Sequence, residues 1–437
     1  LSEVLLPFLD NSGIHIIGTS EVAGYNNLIL VNTALSSRFN KITLVEPDEK
    51  AMTLILEETV ASLESQSGVL ISYEAIKDTL KAADKHFMNQ PNPEKSINLI
   101  EAVATKVASE RGATIILPQD VEAYLSEKMN LPTGEVNEKE KETLLNLETL
   151  LHKYVIGQEE AMKAIANALR RSRSQISDSR KPIGSFLFLG PTGVGKTATA
   201  KALAEVYFGG EDHIVRFDMS EYQNKDDIYR LIGQRGQKEQ GNLVTAMNEK
   251  PFALVLFDEV EKAHPDILNL FLQILDEGFL SDSNGRKVSF TDSIIIVTSN
   301  AGAKVIRDSV RNGQDFEKNR AILIDYIVNN NIFRPEFINR FTQVISFSPL
   351  SEDQIVEVAK KMIEGLEKSV LQNKDIKLTV DPDALAVLAK AGFDPEMGAR
   401  PMERTIQEKI ENLLAQKILT GELKKGDSFT ITSTIVQ

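Results

Sequence analysis

Gly190-Pro191-Thr192-Gly193-Val194-Gly195-Lys196-Thr197 decides how this chain is read. The stretch has the form G-x-x-x-x-G-K-T, the pattern of a phosphate-binding loop. Its glycines let successive backbone N–H groups turn inward as an anion nest. Lys196 reaches terminal phosphates as a compact point charge, and Thr197 offers a hydroxyl to Mg²⁺. The flanks supply the required context. Ser185-Phe186-Leu187-Phe188-Leu189 reads as a buried parallel strand, and the Ala-rich run 198–206 reads as a helix. Strand, glycine loop and helix together imply a nucleotide site.

Working outward, apolar strand candidates recur at 185–189, 214–217, 252–257, 293–298 and 344–347, with helical segments between them. That alternation predicts an α/β domain over 153–348 with a parallel five-stranded sheet, its ligands beyond the carboxyl ends of the strands. After Pro349, helices are expected at 352–372, 382–391 and 398–419, then a strand at 428–432, forming a small helical domain over 349–437. Upstream, 1–45 carries apolar strand candidates at 14–20 and 42–45 with a short helix bearing Arg38 between them. Residues 46–130 read as a second small helical module, with helices at 51–65, 73–88, 94–111 and 120–129. The chain therefore reads as a partial copy followed by a complete one. Residues 131–152, rich in Glu and Lys, read as a solvated linker helix.

Composition sets the outer limits. The 437 residues are 42% hydrophobic and 26% charged, an ordinary globular balance. No apolar run approaches the ~18 residues of a membrane span. With no cysteine, disulfides and thiolate chemistry are excluded, and the five histidines form no H-E-x-x-H. A net charge of −14 argues against a dedicated nucleic-acid binder, although Arg170, Arg171 and Arg173 lie close enough to make a local basic stripe. The expected location is the cytoplasm. The first residue is Leu1, so an earlier segment is expected to be missing.

Three further stretches carry chemistry. Phe252-Ala253-Leu254-Val255-Leu256-Phe257-Asp258-Glu259 is a strand ending in two carboxylates. Asp258 is placed to hold Mg²⁺ through water, and Glu259 to polarise an attacking water. Alone, this is only an acidic turn; after a phosphate loop it is much more specific. Ser293–Asn300 is the next strand, ending in an amide that can contact phosphate or water. Phe333–Phe341 supplies Arg334 and Arg340, and Gly398-Ala399-Arg400-Pro401 supplies a third arginine at a helix start. Arginine suits developing phosphoryl charge because it is planar, bidentate and always ionised.

Taken together these stretches resemble the AAA+ family, specifically the two-ring Clp/heat-shock ATPases of the ClpA, ClpB and ClpC type. The resemblance rests on Val155-Ile156-Gly157-Gln158, the P-loop, Phe217–Tyr222, Asp258-Glu259-Val260-Glu261-Lys262-Ala263-His264-Pro265, Thr298-Ser299-Asn300, Phe333–Arg340 and Gly398–Pro401. It implies a parallel five-stranded AAA+ domain with a helical lid, preceded by the remnant and lid of a first module. It implies ATP hydrolysis to ADP with Mg²⁺, a hexameric homo-oligomer and protein substrates. Residue by residue, Ile156 and Gly157 flank the adenine. Thr192, Gly193, Val194, Gly195, Lys196, Thr197 and Ala198 bind the nucleotide. Thr197 and Asp258 serve the metal, and Glu259 is the catalytic base. Asn300 is sensor 1, Arg340 the finger given to a neighbouring subunit, and Arg400 sensor 2. In the first module Thr19, Arg38 and Lys95 fall near the corresponding positions, without a P-loop or Walker B strand.

Two departures accompany the resemblance. Gln234–Gly241, where the family places an aromatic pore loop, has no aromatic residue. Residues 301–330 contain no apolar-Gly-apolar tripeptide for docking a ClpP-like peptidase; Asn312-Gly313-Gln314 is polar. Residues 46–130 also lack a long coiled-coil insertion, closer to the ClpA pattern than to ClpB. Two readings stay open: an ATP-driven protein-remodelling motor, and a nucleotide-gated scaffold whose output is assembly.

Overall fold

Five apolar runs become five parallel strands: β1 (Gly184–Leu189), β2 (Ile214–Asp218), β3 (Leu254–Asp258), β4 (Ile294–Ser299) and β5 (Gln343–Ser346). This is a computed structural model, and it describes residues 8–9, 13, 15–21, 24–111, 115–129, 138–174, 180–234, 240–311, 316–394 and 397–436. The order across the sheet is β2-β3-β4-β1-β5. The three inner strands are buried along their whole length, which is why they read as unbroken apolar runs rather than alternating ones. Successive side chains enter two cores on opposite faces. Leu187, Val255, Phe257, Ile295 and Val297 lie in one; Phe186, Phe188, Leu254, Leu256, Ile294 and Ile296 lie in the other.

Helices cover both faces. Those that matter for the site are α1 (Glu159–Arg173), α2 (Lys196–Leu203), α3 (Pro265–Glu277), α4 (Pro335–Ile338), α5 (Glu352–Lys374) and α6 (Pro401–Ile406). Ser351 and Gln354 close a capping box at the start of α5. The expected helix over 398–419 starts later, because Pro401 takes the first helical position and the preceding residues form a turn. It then passes through a π stretch at Gln407–Glu411 before Asn412–Leu419.

The chain divides into two compact units, the first formed chiefly by residues 1–124 and the second by most of the rest. The first contains helices Glu49–Ser67, Tyr73–His86 and Glu94–Arg111, the start of Pro118–Met129, and a parallel pair, Leu70–Ile71 with Ile115–Ile116. The strands expected at 14–20 and 42–45 are not formed. Residues 15–20 and 42–45 are irregular, and Ile17, Ile42, Leu44 and Val45 are exposed; Ile14 lies outside the described residues. An apolar run becomes a strand only when a neighbour takes its backbone hydrogen bonds, and these runs have no ladder partner among the described residues.

The solvated linker is also corrected. Helices Glu138–Leu145 and Leu147–His152 bring Leu144, Leu147 and Leu151 into the core beside Phe186, Phe188 and Leu203. Arg173 forms a two-pronged ion pair with Glu140, and Arg170 donates to Glu148 and to the carbonyls of Leu144 and Leu145. The acidic run and two arginines of the expected basic stripe therefore neutralise each other.

Candidate functional site

The strand order explains why distant motifs meet. The P-loop leaves β1, Asn300 follows β4, and Asp258 ends β3; these three strands are adjacent. Their carboxyl ends open into a cavity of about 580 Å³, of the size that holds a nucleotide-like ligand. The cavity is lined by Ile156, Thr192, Gly193, Val194, Gly195, Lys196, Thr197, Ala198, Asp258, Glu259, Asn300 and Arg400. Three sequence-selected residues of this module are not among its lining, Arg334 being one, 3.9 Å from Glu336. Gly157 turns toward α5, where an added Cβ would sit 2.7 Å from Gln354 Nε2. Arg340 lies beyond α4, its guanidinium 2.7 Å from Asp276 Oδ1 on α3.

Within the loop, Gly193 and Gly195 adopt positive φ of 73° and 105°, which suits residues without a Cβ. Lys196 is almost fully buried. Its ammonium donates to the carbonyls of Gly190 (2.6 Å) and Pro191 (2.8 Å) and to Asn300 Oδ1 (2.8 Å). Burial pushes its pKa down to about 8, against the opposing pull of Glu261, Asp258 and Glu259.

The acidic strand end is held from β4. The Thr298 hydroxyl donates to Asp258 Oδ1 and accepts the Glu259 N–H at 3.2 Å. Glu259 itself has a φ of 56°, a left-handed conformation that is uncommon for a non-glycine residue and concentrates at functional sites. Asp258 Oδ2 accepts from Arg216 Nη2 at 2.7 Å. Asp218 also lines the cavity, its carboxyl held below the usual range by the Ser220 hydroxyl.

The lid meets the loop backbone to backbone. The Ala399 N–H donates to the Gly193 carbonyl at 3.2 Å. A Cβ on Gly193 would stand 2.1 Å from the Met397 carbonyl, and one on Gly398 2.7 Å from the Thr192 carbonyl. Such closeness explains glycine on both sides. Leu350, Val358 and Met362 from the lid face Tyr154, Val155 and Ile156 to make an apolar wall.

Several site residues escaped the sequence reading. Gln158, also at positive φ, donates to the carbonyls of Val194 (3.2 Å) and Ser348 (2.8 Å) and accepts the Ser348 N–H, tying the P-loop to the end of β5. Glu261 Oε1 accepts the Asn300 N–H at 3.1 Å, while its Oε2 is buried without a hydrogen-bond partner among the described residues. Arg216 was legible in principle: it stands two residues before Asp218 on one strand, hence on the same face. Gln234–Gly241 and Asn312-Gly313-Gln314 lie largely outside the described residues.

Sheet, loop and lid define an AAA+ module. Residues 181–344 match the family model described as an AAA domain of the Cdc48 subfamily. Residues 350–431 match the C-terminal D2-small domain of ClpB protein, and 48–151 match an AAA lid domain. The chaperone protein ClpB of Meiothermus ruber is 42% identical over 81% of the chain. The Clp protease ATP-binding subunit ClpC of Staphylococcus epidermidis is 33% identical over 98%. The chain spans 41% and 61% of the lengths of those relatives. Among solved structures, Hsp104 in a closed state with ATPγS and FITC casein superposes with a TM-score of 0.85 at 32% identity, covering 98% of this chain and 74% of that one. The extended Saccharomyces cerevisiae Hsp104–casein complex gives 0.84, also at 32% identity. The chain belongs to the Clp/heat-shock branch of the AAA+ ATPases.

Proposed function

We propose that this chain hydrolyses ATP to ADP and phosphate and couples the reaction to remodelling of protein substrates in a homo-oligomeric ring, a hexamer by analogy with the family. The observation that carries the reading is the convergence of Lys196, Asp258, Glu259 and Asn300 from three adjacent strands into a cavity that also receives Arg400 from the lid. Phosphoryl transfer asks a protein mainly for positioning and charge, and these residues supply both. Lys196, released from its loop carbonyls, takes the terminal phosphates. Glu259 accepts the proton of the attacking water, and Asn300 orients that water. The apolar wall including Ile156 takes the adenine, and Gly157 lets α5 approach. Arg400 covers the phosphates from the lid.

Thr197 and Asp258 offer a hydroxyl and a carboxylate on one cavity, hard oxygen donors of the kind Mg²⁺ uses together with phosphate oxygens. Bound there, Mg²⁺ would neutralise charge on the phosphates. Arg340, outside its own cavity, is the candidate finger for a neighbouring subunit's site. The working division is a first-module remnant (1–45) and its lid (46–130), a connecting segment (131–152), the ATPase domain (153–348) and its lid (349–437).

No helix among the described residues is long and apolar enough to cross a membrane, and the neutralised arginines leave no basic stripe there for nucleic acid. We place the protein in the cytoplasm. Docking to a ClpP-like peptidase has no support in residues 301–330. The sequence of Gln234–Gly241, with no aromatic grip, favours a second reading as a nucleotide-gated scaffold. Steady-state ATPase assays with and without casein separate the two: a motor is stimulated by unfolded protein, a scaffold is not. In the same assay Glu259→Gln is expected to bind nucleotide normally and to lose at least about 100-fold in turnover, the usual scale for a general base. Turnover at the parental rate would remove Glu259 from its role.

A further inference from the structure

The two oxygens of Asp258 are held by different kinds of donor. Oδ1 accepts from the neutral hydroxyl of Thr298, inside the sheet. Oδ2 accepts from the guanidinium of Arg216 at 2.7 Å, and Arg216 and Asp258 both line the cavity. The Asp258 side chain is 11% exposed and that of Arg216 55%. Arg216 stands on edge strand β2, directly beside β3, with Asp218 and Asp258 in register two residues further on. A cation from the edge of the sheet thus sits on a carboxylate oxygen of an acid that lines the ligand space.

We propose that Arg216 competes with Mg²⁺ for Asp258 and so sets the Mg²⁺ concentration at which the site accepts metal-bound nucleotide. The inference rests on the assignment of Asp258 as the metal-facing acid. A guanidinium and a hydrated divalent cation seek the same oxygen lone pairs, and their charges repel even where a second lone pair remains. The arginine side chain is long, half-exposed and free to swing back into solvent, so its hold on Asp258 is reversible rather than structural. A solvent-exposed competitor is also screened, so its effect fades as ionic strength rises.

The test is the binding of a fluorescent ADP analogue to the full chain, followed by anisotropy while Mg²⁺ is titrated from an EDTA-buffered start. Removing the competitor in Arg216→Ala is expected to lower the half-saturating Mg²⁺ concentration by roughly two- to fivefold, the range of a part-exposed ion pair. Arg216→Lys keeps the charge and should stay near the parental midpoint. The alanine effect should shrink in high KCl, and affinity in EDTA should be the same in all three proteins. An unchanged midpoint in Arg216→Ala overturns the proposal. So does a loss of affinity in EDTA, which would make Arg216 a phosphate ligand instead. A parental protein whose nucleotide binding ignores Mg²⁺ would instead overturn the role of Asp258, and this inference with it.

Discussion

The two small helical modules of this chain share a plan and differ in what they do with a cation. Each encloses a parallel two-stranded pair, Leu70–Ile71 with Ile115–Ile116 in one and Lys377–Val380 with Ser428–Ile431 in the other. In the first, Lys95 is buried to 6% exposure and lies 2.8 Å from Asp84 and 3.9 Å from Glu46. In the second, Arg400 is exposed and lines the nucleotide cavity. The two cations differ in setting: Lys95 is buried between Asp84 and Glu46, whereas Arg400 is exposed on a cavity wall that Glu403 also lines. The contrast extends to the segment between them. The family lid model reaches residue 151, yet Leu144, Leu147 and Leu151 pack with Phe186 and Phe188 beneath the P-loop sheet.

The allegiance of that segment is open to the largest perturbation. Leu147→Ala removes a fully buried side chain and is expected to destabilise the second unit by about 2–5 kcal/mol. The measurement is a denaturant titration followed by hydrogen exchange, with lost protection in β1 and α1. Lost protection confined to residues 49–111 would return the segment to the first module. Next in size is Arg400→Ala. If Arg400 meets phosphate as proposed, its loss is expected to cost about 10–100-fold in kcat/KM for ATP, with the melting temperature nearly unchanged. An unaltered kcat/KM would erase the distinction between the two cations. The smallest effect belongs to Lys95→Met, about 1 kcal/mol or less of stability, because Asp84 and Glu46 are more than half exposed and remain hydrated. ATP turnover should not change, and a fall in turnover would show that the first module also serves nucleotide.

How much of this was legible depends on the range of the interaction. The sheet was legible because β1, β3 and β4 are buried on both faces and carry their own apolar signature. The P-loop, Asp258, Glu259 and Asn300 were legible because each sits at the end of such a strand. The runs at 14–20 and 42–45 carry a similar signature but no partner among the described residues, and pairing is a property of two segments. The 138–152 helices misled for a related reason: the charges that mark a solvated surface here meet Arg170 and Arg173 across 22 and 33 positions of sequence. Gln158 spans 190 positions to reach Ser348, a bond no local pattern announces. The spacing of Arg216 from Asp218 placed it on the same face, but its bond to Asp258 follows from the neighbouring strand.

Glu259 has a consequence for how such a protein drifts under selection. Its left-handed backbone stores on the order of 1 kcal/mol that glycine at the same position would not incur. Selection for thermal endurance alone would therefore favour glycine there, and, with Glu259 the base as proposed, the resulting protein would be sturdier and silent. The conformation of this proposed base is one the chain keeps only as long as that chemistry is rewarded.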